Sequence, residues 1–254
     1  LDYVKSQPNR VATASSDQVA NGAVYAVLTR DDAFIGCNGR QVFRIDQQDP
    51  KNPASGMKPA RSTTLPASLF DNERARAKTH LPGDMSFGMG MTFNGYLVVN
   101  TLGGKVITLN RDTLEIIDSY TTAGADESFM NSFATGPEAK GGAVYVASNT
   151  TMYRLVVDAD GKIHDDEASG AWAAKYDRGV QMPPPKIGDG TGSTPTLMGF
   201  GPNDDKLVVI TDGAKKMRLV SFWRDGIPAG WKQKPGTQSP RIAELGEPGD
   251  ESWV

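Results

Sequence analysis

Short apolar runs separated by polar turns recur along the chain and predict β-strands. Four times an apolar run is followed by a turn and a second run, and these pairs begin near residues 33, 95, 142 and 206. A run rich in glycine or small residues precedes the last three pairs, at residues 87–92, 132–135 and 194–199. The pattern suits a repeated unit of four short antiparallel strands with loops of unequal length.

A helical pattern is confined to residues 68–78, where Ser68 or Asp71 would cap a few turns. The rest of the chain therefore predicts an all-β protein, and the repeat predicts a β-propeller of four-stranded antiparallel blades. We assign residues 1–254 to one such domain. Its blade units are expected at about 20–66, 85–122, 130–175 and 192–245.

A β-sandwich is the alternative fold, but it gives no reason for the same strand pair and turn to recur four times. Four blades is the lower limit for a propeller. The sequence therefore predicts an incomplete propeller, which another chain or a missing segment would close. The loop-like residues 246–254 agree with this expectation.

Composition and charge favour a soluble globular chain. Of the 254 residues, 38% are hydrophobic, and the net charge of −3 is spread along the sequence. No nucleic-acid partner is therefore expected. The longest apolar runs, residues 96–99 and 207–210, are too short for a membrane span. Cys37 is the single cysteine, permits no internal disulfide, and is interpreted as a small buried apolar residue.

The chain begins at Leu1 rather than at a methionine, and its first residues lack the features of a signal peptide. We therefore expect a processed or truncated product. A periplasmic or secreted location, with the signal peptide removed, fits this start.

Polar residues collect on one predicted face of the propeller disc. In a four-stranded meander, the segment before the first strand and the turn between the second and third strands lie on the same face. Asn131 and Ser193 precede first strands, Thr194 begins one, Asp212 follows a second strand, and Glu127 lies near Asn131. We predict that Asn131, Ser193, Thr194 and Asp212 bind a ligand. Asn131, Asp212 and Glu127 are candidate Ca²⁺ ligands, because Ca²⁺ takes about 6–8 oxygen ligands.

Asn38, Asn100 and Asn149 occupy the corresponding turn in the first three strand pairs. Turns of the Asn-Gly type supply the backbone conformation that hairpins need, so a structural role is favoured for these three. For Asn131 and Asp212 both interpretations stay open.

Residues 188–199 combine several glycines and hydroxyls before a predicted inner strand. Their backbone N–H groups would form an anion-binding nest, and the hydroxyls would bind a polar ligand near the central channel. The alternative is a tight loop that enters a crowded strand. The segment lacks the lysine and the spacing of a P-loop, so no nucleotide is expected.

Support for nucleophilic catalysis is weak. His80 and His164 are the only histidines, and a Gly-x-Ser-x-Gly elbow is missing. His164, beside Asp165, is interpreted as part of a solvated acidic corner. Catalytic residues stay unassigned, and no haem is expected.

Five runs of the chain resemble segments of a group of exported bacterial β-propeller proteins of unassigned function: residues 130–134, 142–146, 192–199, 209–213 and 222–228. The resemblance covers about residues 85–245. The group is distantly similar to the six-bladed gluconolactonase and paraoxonase class, which implies a central Ca²⁺ that polarises an ester or lactone carbonyl. By position, Asn131 would match an asparagine that opens an inner strand, and Asp212 an acidic ligand. The first-blade glutamate of that class has no equivalent here.

Three functions are compatible with these observations. The first is an exported β-propeller binding protein that uses one disc face and the central channel for a small ligand, an ion or a protein partner. The alternatives are a Ca²⁺-dependent hydrolase of esters or lactones, and a fragment or subunit that completes a larger propeller assembly. The Trp-docking motif of pyrroloquinoline-quinone (PQQ) dehydrogenases is not evident, so PQQ is not expected.

Overall fold

In the computed structural model, four antiparallel sheets follow one another along the chain. The structure describes residues 25–138, 141–179, 188–214 and 216–246. In the first sheet each strand pairs with the next in sequence. Its strands are β1 (Ala26–Leu28), β2 (Phe34–Asn38), β3 (Gln41–Gln47) and β4 (Met57–Thr64).

A short helical segment joins the first sheet to the second. The 3-10 turn Ala67–Leu69 follows β4 and is followed by helix α1 (Asn72–Lys78), whereas another 3-10 turn, Pro53–Ser55, lies between β3 and β4. The Asp71 carboxylate caps α1 by accepting from the backbone N–H of Arg74 at 2.9 Å. The predicted helix is therefore confirmed over its C-terminal part, with Asp71 rather than Ser68 as the cap.

The second sheet repeats the order of the first. Its strands are β5 (Ser86–Met91), β6 (Tyr96–Thr101), β7 (Lys105–Asn110) and β8 (Ile116–Thr121).

The third sheet has an interrupted outer strand. Its first three strands are β9 (Ala134–Glu138), β10 (Gly141–Ala147) and β11 (Thr151–Val157). Both β12 (Ile163–His164) and β13 (Trp172–Lys175) then pair with β11. Residues 165–171, which include the 3-10 turn Glu167–Ser169, therefore form an insertion in the outer edge of this blade.

The fourth sheet returns to the simple order. Its strands are β14 (Thr196–Met198), β15 (Leu207–Thr211), β16 (Leu219–Trp223) and β17 (Ile242–Gly246).

The sheets are arranged like blades of a propeller. Their first strands are neighbours, since β1 contacts β5, β5 contacts β9, and β9 contacts β14. The described blades do not close into a ring. The predicted all-β fold of four-stranded blades is confirmed, whereas the assignment of all 254 residues to one domain stays a prediction. No helix within the described ranges is long and apolar enough to cross a membrane.

Three apolar clusters fill the spaces between neighbouring blades. Alternation along each strand decides which space a side chain enters. In β6, Leu97 and Val99 face the first blade and Val98 faces the third. In the third blade, Val144 faces the second blade and Tyr145 faces the fourth. The middle blades are thus buried on both faces, which explains their continuous apolar runs.

The outward face of the first blade is less covered than these inner faces. Phe34 and Phe43 pack there with ring centroids 6.1 Å apart, and Leu28 is 77% exposed. At the other end of the arc, Trp231 packs edge-on against Trp223 of the fourth blade with centroids 5.1 Å apart. The loop between β16 and β17 therefore shields part of the last blade.

Candidate functional site

A cleft of about 970 Å³ opens between the second and third blades. Its walls come from the end of β8, the connection to β9, the turn between β10 and β11, and the outer strand β13. In a meander these segments meet on one disc face, which is the face where the sequence places its polar candidates. The side chains that decide its chemistry are Tyr120, Glu127, Thr150, Thr151, Tyr153 and Trp172.

Glu127 is held firmly in the connection between β8 and β9. Its backbone N–H donates to the Gly124 carbonyl at 3.1 Å. The Asn149 side chain secures both of its neighbours, donating to the Asp126 carbonyl at 3.1 Å and accepting from the Ser128 N–H at 3.0 Å. A turn of the third blade therefore fixes the backbone on either side of Glu127.

The Glu127 carboxylate is buried and has hydroxyl partners. The residue is 6% exposed. Its Oε1 accepts from the hydroxyls of Thr150 at 2.9 Å and Thr151 at 2.6 Å, and its Oε2 accepts a short hydrogen bond from Tyr153. Within the described parts of the chain, no cationic side-chain nitrogen lies within 4.0 Å of this carboxylate.

Tyr120 and Tyr153 line the cleft with their ring centroids 6.1 Å apart. Burial raises the pKa of Tyr153, and its hydrogen bond to Glu127 adds to the effect. Burial also raises the pKa of Tyr120 to about 12, with smaller contributions from the charges of Asp165 and Glu127. Both phenols are therefore neutral at ordinary pH, so neither acts as a base.

Two further aromatic residues of the cleft are held by partners outside it. The Tyr176 hydroxyl donates to the Ser148 carbonyl at 2.6 Å and accepts from the Thr191 N–H at 2.9 Å. Trp172 donates its indole N–H to the Arg224 carbonyl at 2.9 Å. This part of the wall is consequently preformed.

Charged side chains of the cleft other than Glu127 are exposed. Asp126 lies 3.6 Å from the Lys78 ammonium, and Asp177 lies 3.1 Å from the Arg218 guanidinium. These pairs are screened by solvent. Among the charged groups of the cleft, Glu127 would therefore interact most strongly with a bound ligand.

The Glu127 carboxylate has room for one more hydrogen bond. A carboxylate has about four lone-pair sites, and three of them are taken. The remaining site is on Oε2, which already accepts from Tyr153. A ligand N–H or O–H would complete the set, and the aromatic side chains would cover an apolar part of the same ligand.

Asn131 and Ser193 are brought together through Thr191, outside the cleft. The Asn131 amide points its nitrogen at the Thr191 carbonyl, 3.5 Å away. The Thr191 and Ser193 hydroxyls lie 3.1 Å apart, and Ser193 accepts from the Thr211 N–H at 2.9 Å. Thr194 is half-buried next in the chain. These hydrogen bonds connect the segment before β14 to Asn131 and to the end of β15.

The described geometry of residues 188–199 favours the tight-loop interpretation. Gly190 has φ 74°, and a Cβ there would lie 2.4 Å from the Asn149 backbone. Only glycine fits such a close approach in this conformation.

Asp212 anchors the turn of the fourth blade. It is 1% exposed, and Oδ1 accepts from the N–H groups of Ala214 at 3.1 Å and Arg218 at 3.0 Å. Its Oδ2 accepts from the Arg218 Nε at 2.7 Å. The resulting ion pair and two backbone hydrogen bonds engage both carboxylate oxygens.

Asn131, Asp212 and Glu127 do not fit a Ca²⁺ site as they stand. The oxygens of Asp212 accept from a guanidinium and two backbone N–H groups, and those of Glu127 accept from three hydroxyls. Among the described residues, no group of three or more His, Cys, Asp or Glu is suited to hold a metal.

The three turn asparagines have structural environments. Asn100 accepts from the Gly88 N–H at 2.6 Å and donates to the Asn131 carbonyl at 2.8 Å, so it joins two blades as Asn149 does. Asn38 pairs with Gln41 across a turn in which Gly39 has φ 50°. Gly39, rather than Asn38, therefore adopts the positive φ that this turn requires.

The other candidates from the sequence also have ordinary roles. Cys37 is buried, and burial raises the pKa of its thiol to about 12. His164 is 40% exposed at its side chain, with Nε2 2.8 Å from the Asp158 carboxylate, and this hydrogen bond raises its pKa. His80 is exposed.

Tyr120, Tyr153 and Tyr176 were not singled out by sequence reasoning. A partial signal exists, because Thr151 and Tyr153 are two positions apart in a strand and must share a face. The residues around Thr151 and Tyr153 in the sequence do not indicate that Glu127 is their partner, because Glu127 lies 24 positions before Thr151.

Comparison with known proteins identifies no family. No protein-family model matches the chain. An uncharacterised protein of Archaeoglobus fulgidus is 33% identical over 165 residues, which are 64% of this chain and 30% of that protein. The chain thus spans less than a third of this relative's length.

Similar solved structures are distant. Sqt1 of Saccharomyces cerevisiae has a TM-score of 0.48 at 9% identity, over 80% of this chain and 46% of Sqt1. Virginiamycin B lyase from Staphylococcus aureus has a TM-score of 0.39 at 12% identity, over 83% of this chain and 72% of the lyase. Similarities at this level bear on neither ligand nor activity. The expected export and the link to the gluconolactonase class stay predictions.

Proposed function

We propose that this chain is a propeller-type binding protein that holds a small polar ligand in the cleft between its second and third blades. The observation that carries the proposal is the buried Glu127 carboxylate, which accepts from three hydroxyls and lines a cleft of about 970 Å³. Ligand sites in proteins are commonly clefts of about 300–1,000 Å³ with a few convergent polar groups. The size and the lining of the cleft both agree with this class.

The chemistry of the cleft defines what the ligand must offer. A ligand hydroxyl or ammonium would donate to Glu127 in a charge-assisted hydrogen bond, which is stronger than a neutral one. An apolar face of the ligand would lie against Tyr120 and Trp172, both of which line the cleft. Polyols, sugars and small amines have the required donors.

A thermal-shift screen of sugars, polyols and small amines, followed by titration calorimetry of the compounds that raise the melting temperature, tests the proposal. Glu127→Gln keeps the shape of the side chain, removes its charge and should weaken binding about tenfold or more. Ala173→Trp places a large side chain at an exposed residue of the cleft and should block it. Ala60→Trp, at an exposed position of β4, is the matched control and should bind as wild type does.

Two results would count against the proposal. One is that compounds bind Ala173→Trp as tightly as they bind the wild type. The other is that analogues lacking N–H and O–H donors bind as tightly as the parent compounds, since the Glu127 carboxylate would then contribute nothing.

A further inference from the structure

A second cavity, of about 530 Å³, lies between the third and fourth blades. Its lining includes Arg154 of β11, Trp172 of β13, Asp225 and Ile227 of the corner after β16, and Arg241 just before β17. The corner between third and fourth strands lies on the disc face opposite the turn between second and third strands. This cavity therefore opens on the other disc face from the cleft that contains Glu127, and Trp172 is a lining residue of both.

Two guanidinium groups line the cavity. Arg154 is 9% exposed and donates from Nη1 to the Arg224 carbonyl at 3.1 Å. Arg241 lies over the Trp172 ring, 4.6 Å from its centroid, and donates from Nη1 to the carbonyls of Trp223 at 2.8 Å and Asp225 at 2.9 Å. Backbone and aromatic contacts thus fix the direction of both charged groups.

The acidic groups of the cavity are exposed, whereas Arg154 is buried and Arg241 is half-buried. The Asp225 carboxylate is shared, lying 3.9 Å from Arg154 Nη1 and 3.8 Å from Arg224 Nε. In the described part of the chain, no carboxylate lies within 4.0 Å of Arg241. Glu167 also lines the cavity but is exposed.

The surroundings of Arg241 disfavour its charged form. Burial lowers the pKa of Arg241, and the nearby charge of Arg154 lowers it further, while Glu167 and Asp225 act in the opposite direction. An anion between the two arginines would relieve their repulsion and form charge-assisted hydrogen bonds with them.

We propose that this cavity binds a small organic anion, a carboxylate or a phosphate ester, with its charged group between Arg154 and Arg241. The volume of about 530 Å³ exceeds what an inorganic ion fills. Trp172 and Ile227 provide apolar surface for the rest of such a molecule, beside the two fixed guanidinium groups.

Titration calorimetry of the whole chain with phenyl phosphate, benzoate, inorganic phosphate and anisole tests this proposal. We expect one or both aromatic anions to bind more tightly than inorganic phosphate, and the tighter of them identifies the charged group. Anisole, which has neither a charge nor an O–H group to donate to Glu127, should not bind. Binding of anisole as tight as that of the anions, or binding of neither aromatic anion, would overturn the proposal.

Arg241→Gln should weaken binding of the preferred anion about tenfold or more. Arg61→Gln, which removes an exposed arginine of β4, is the matched control and should leave the affinity unchanged. Equal loss in both variants would show that only net charge matters and would refute the site.

A second pair of variants keeps the test independent of Arg241. Ile227→Asp places a carboxylate at the cavity and should both abolish anion binding and give a higher melting temperature than Ile227→Asn. A lower melting temperature for the aspartate would contradict an electropositive cavity. Glu127→Gln should leave anion binding unchanged, so failure here and failure of the cleft proposal are distinguishable.

Discussion

The Thr151 hydroxyl donates to the Glu127 carboxylate at 2.6 Å, which joins the first residue of β11 to the connection between the second and third blades. The same carboxylate accepts from Tyr153, two positions further along the strand. One acidic side chain thus links two blades at the cleft, so it contributes to stability as well as to the proposed binding site.

Removal of the Tyr153 hydroxyl should destabilise the protein measurably. Tyr153→Phe takes away a donor to a buried carboxylate, and we expect the free energy of unfolding to fall by about 1–3 kcal/mol. Urea unfolding followed by circular dichroism measures this change. Tyr120→Phe is the matched control, because the Tyr120 hydroxyl makes no hydrogen bond to another described residue; an equal loss there would argue against a special role for the Tyr153 contact.

Asp212 should act through Arg218 and its own turn. Asp212→Asn removes a buried charge that pairs with Arg218 at 2.7 Å, and we expect a loss of about 1–3 kcal/mol in the free energy of unfolding. Calorimetry should find the same decrease in melting temperature with calcium and with a chelator. A wild-type melting temperature that falls on chelation, while that of Asp212→Asn does not respond, would instead support the calcium interpretation.

Asp84 should make stability depend on pH. Its carboxylate accepts from the N–H groups of Asp71 and Gly103, both at 2.7 Å, but burial is the larger influence and raises its pKa to about 6. Because the folded state holds this proton more tightly than the unfolded state does, the stabilisation is complete below about pH 4 and is lost as the pH rises through about 6. We expect a change of about 2 kcal/mol across this window.

Urea unfolding between pH 4 and pH 7 measures the contribution of Asp84. Asp84→Asn should reduce the pH dependence, whereas Asp160→Asn, at an exposed turn residue, should retain it. If the stability of Asp84→Asn changed with pH as steeply as that of the wild type, the pH dependence would come from other groups.

Packing between the third and fourth blades should depend strongly on Phe222. This side chain is 0% exposed and stacks on Trp172 with centroids 6.3 Å apart. Phe222→Ala should lower the free energy of unfolding by about 3–5 kcal/mol, because it removes buried surface and leaves a cavity. Phe93→Ala, at a residue that is 66% exposed, should change it by less than about 0.5 kcal/mol. Chemical denaturation of the two variants makes the comparison, and similar losses would contradict the assigned core.

The fold was predictable because its signals are local. The turn between β6 and β7 and the alternation of Leu97, Val98 and Val99 arise from neighbouring residues, so the strand pairs could be located without a structure. The first strand β1 and the outer strand β4 were not identified, since most of their residues are exposed and lack an apolar pattern. The interruption between β12 and β13 also has no periodic signal.

The candidate site was predictable only in part. The disc face and Glu127 followed from the order of strands and turns, yet Asn131, Ser193 and Asp212 have partners that engage them outside the cleft. The sequence could not show this, because an asparagine in a hairpin and an asparagine in a ligand site have the same local pattern.

By itself the sequence determined the strand pairs, the capped helix and the side of each strand that is buried, because period-two alternation and turn chemistry act over a few residues. Only the tertiary structure decided that Glu127 meets Tyr153 and that Arg154 and Arg241 line one cavity. Each of these encounters joins segments distant in the chain. Their distances depend on how neighbouring blades pack, and no local pattern encodes that geometry.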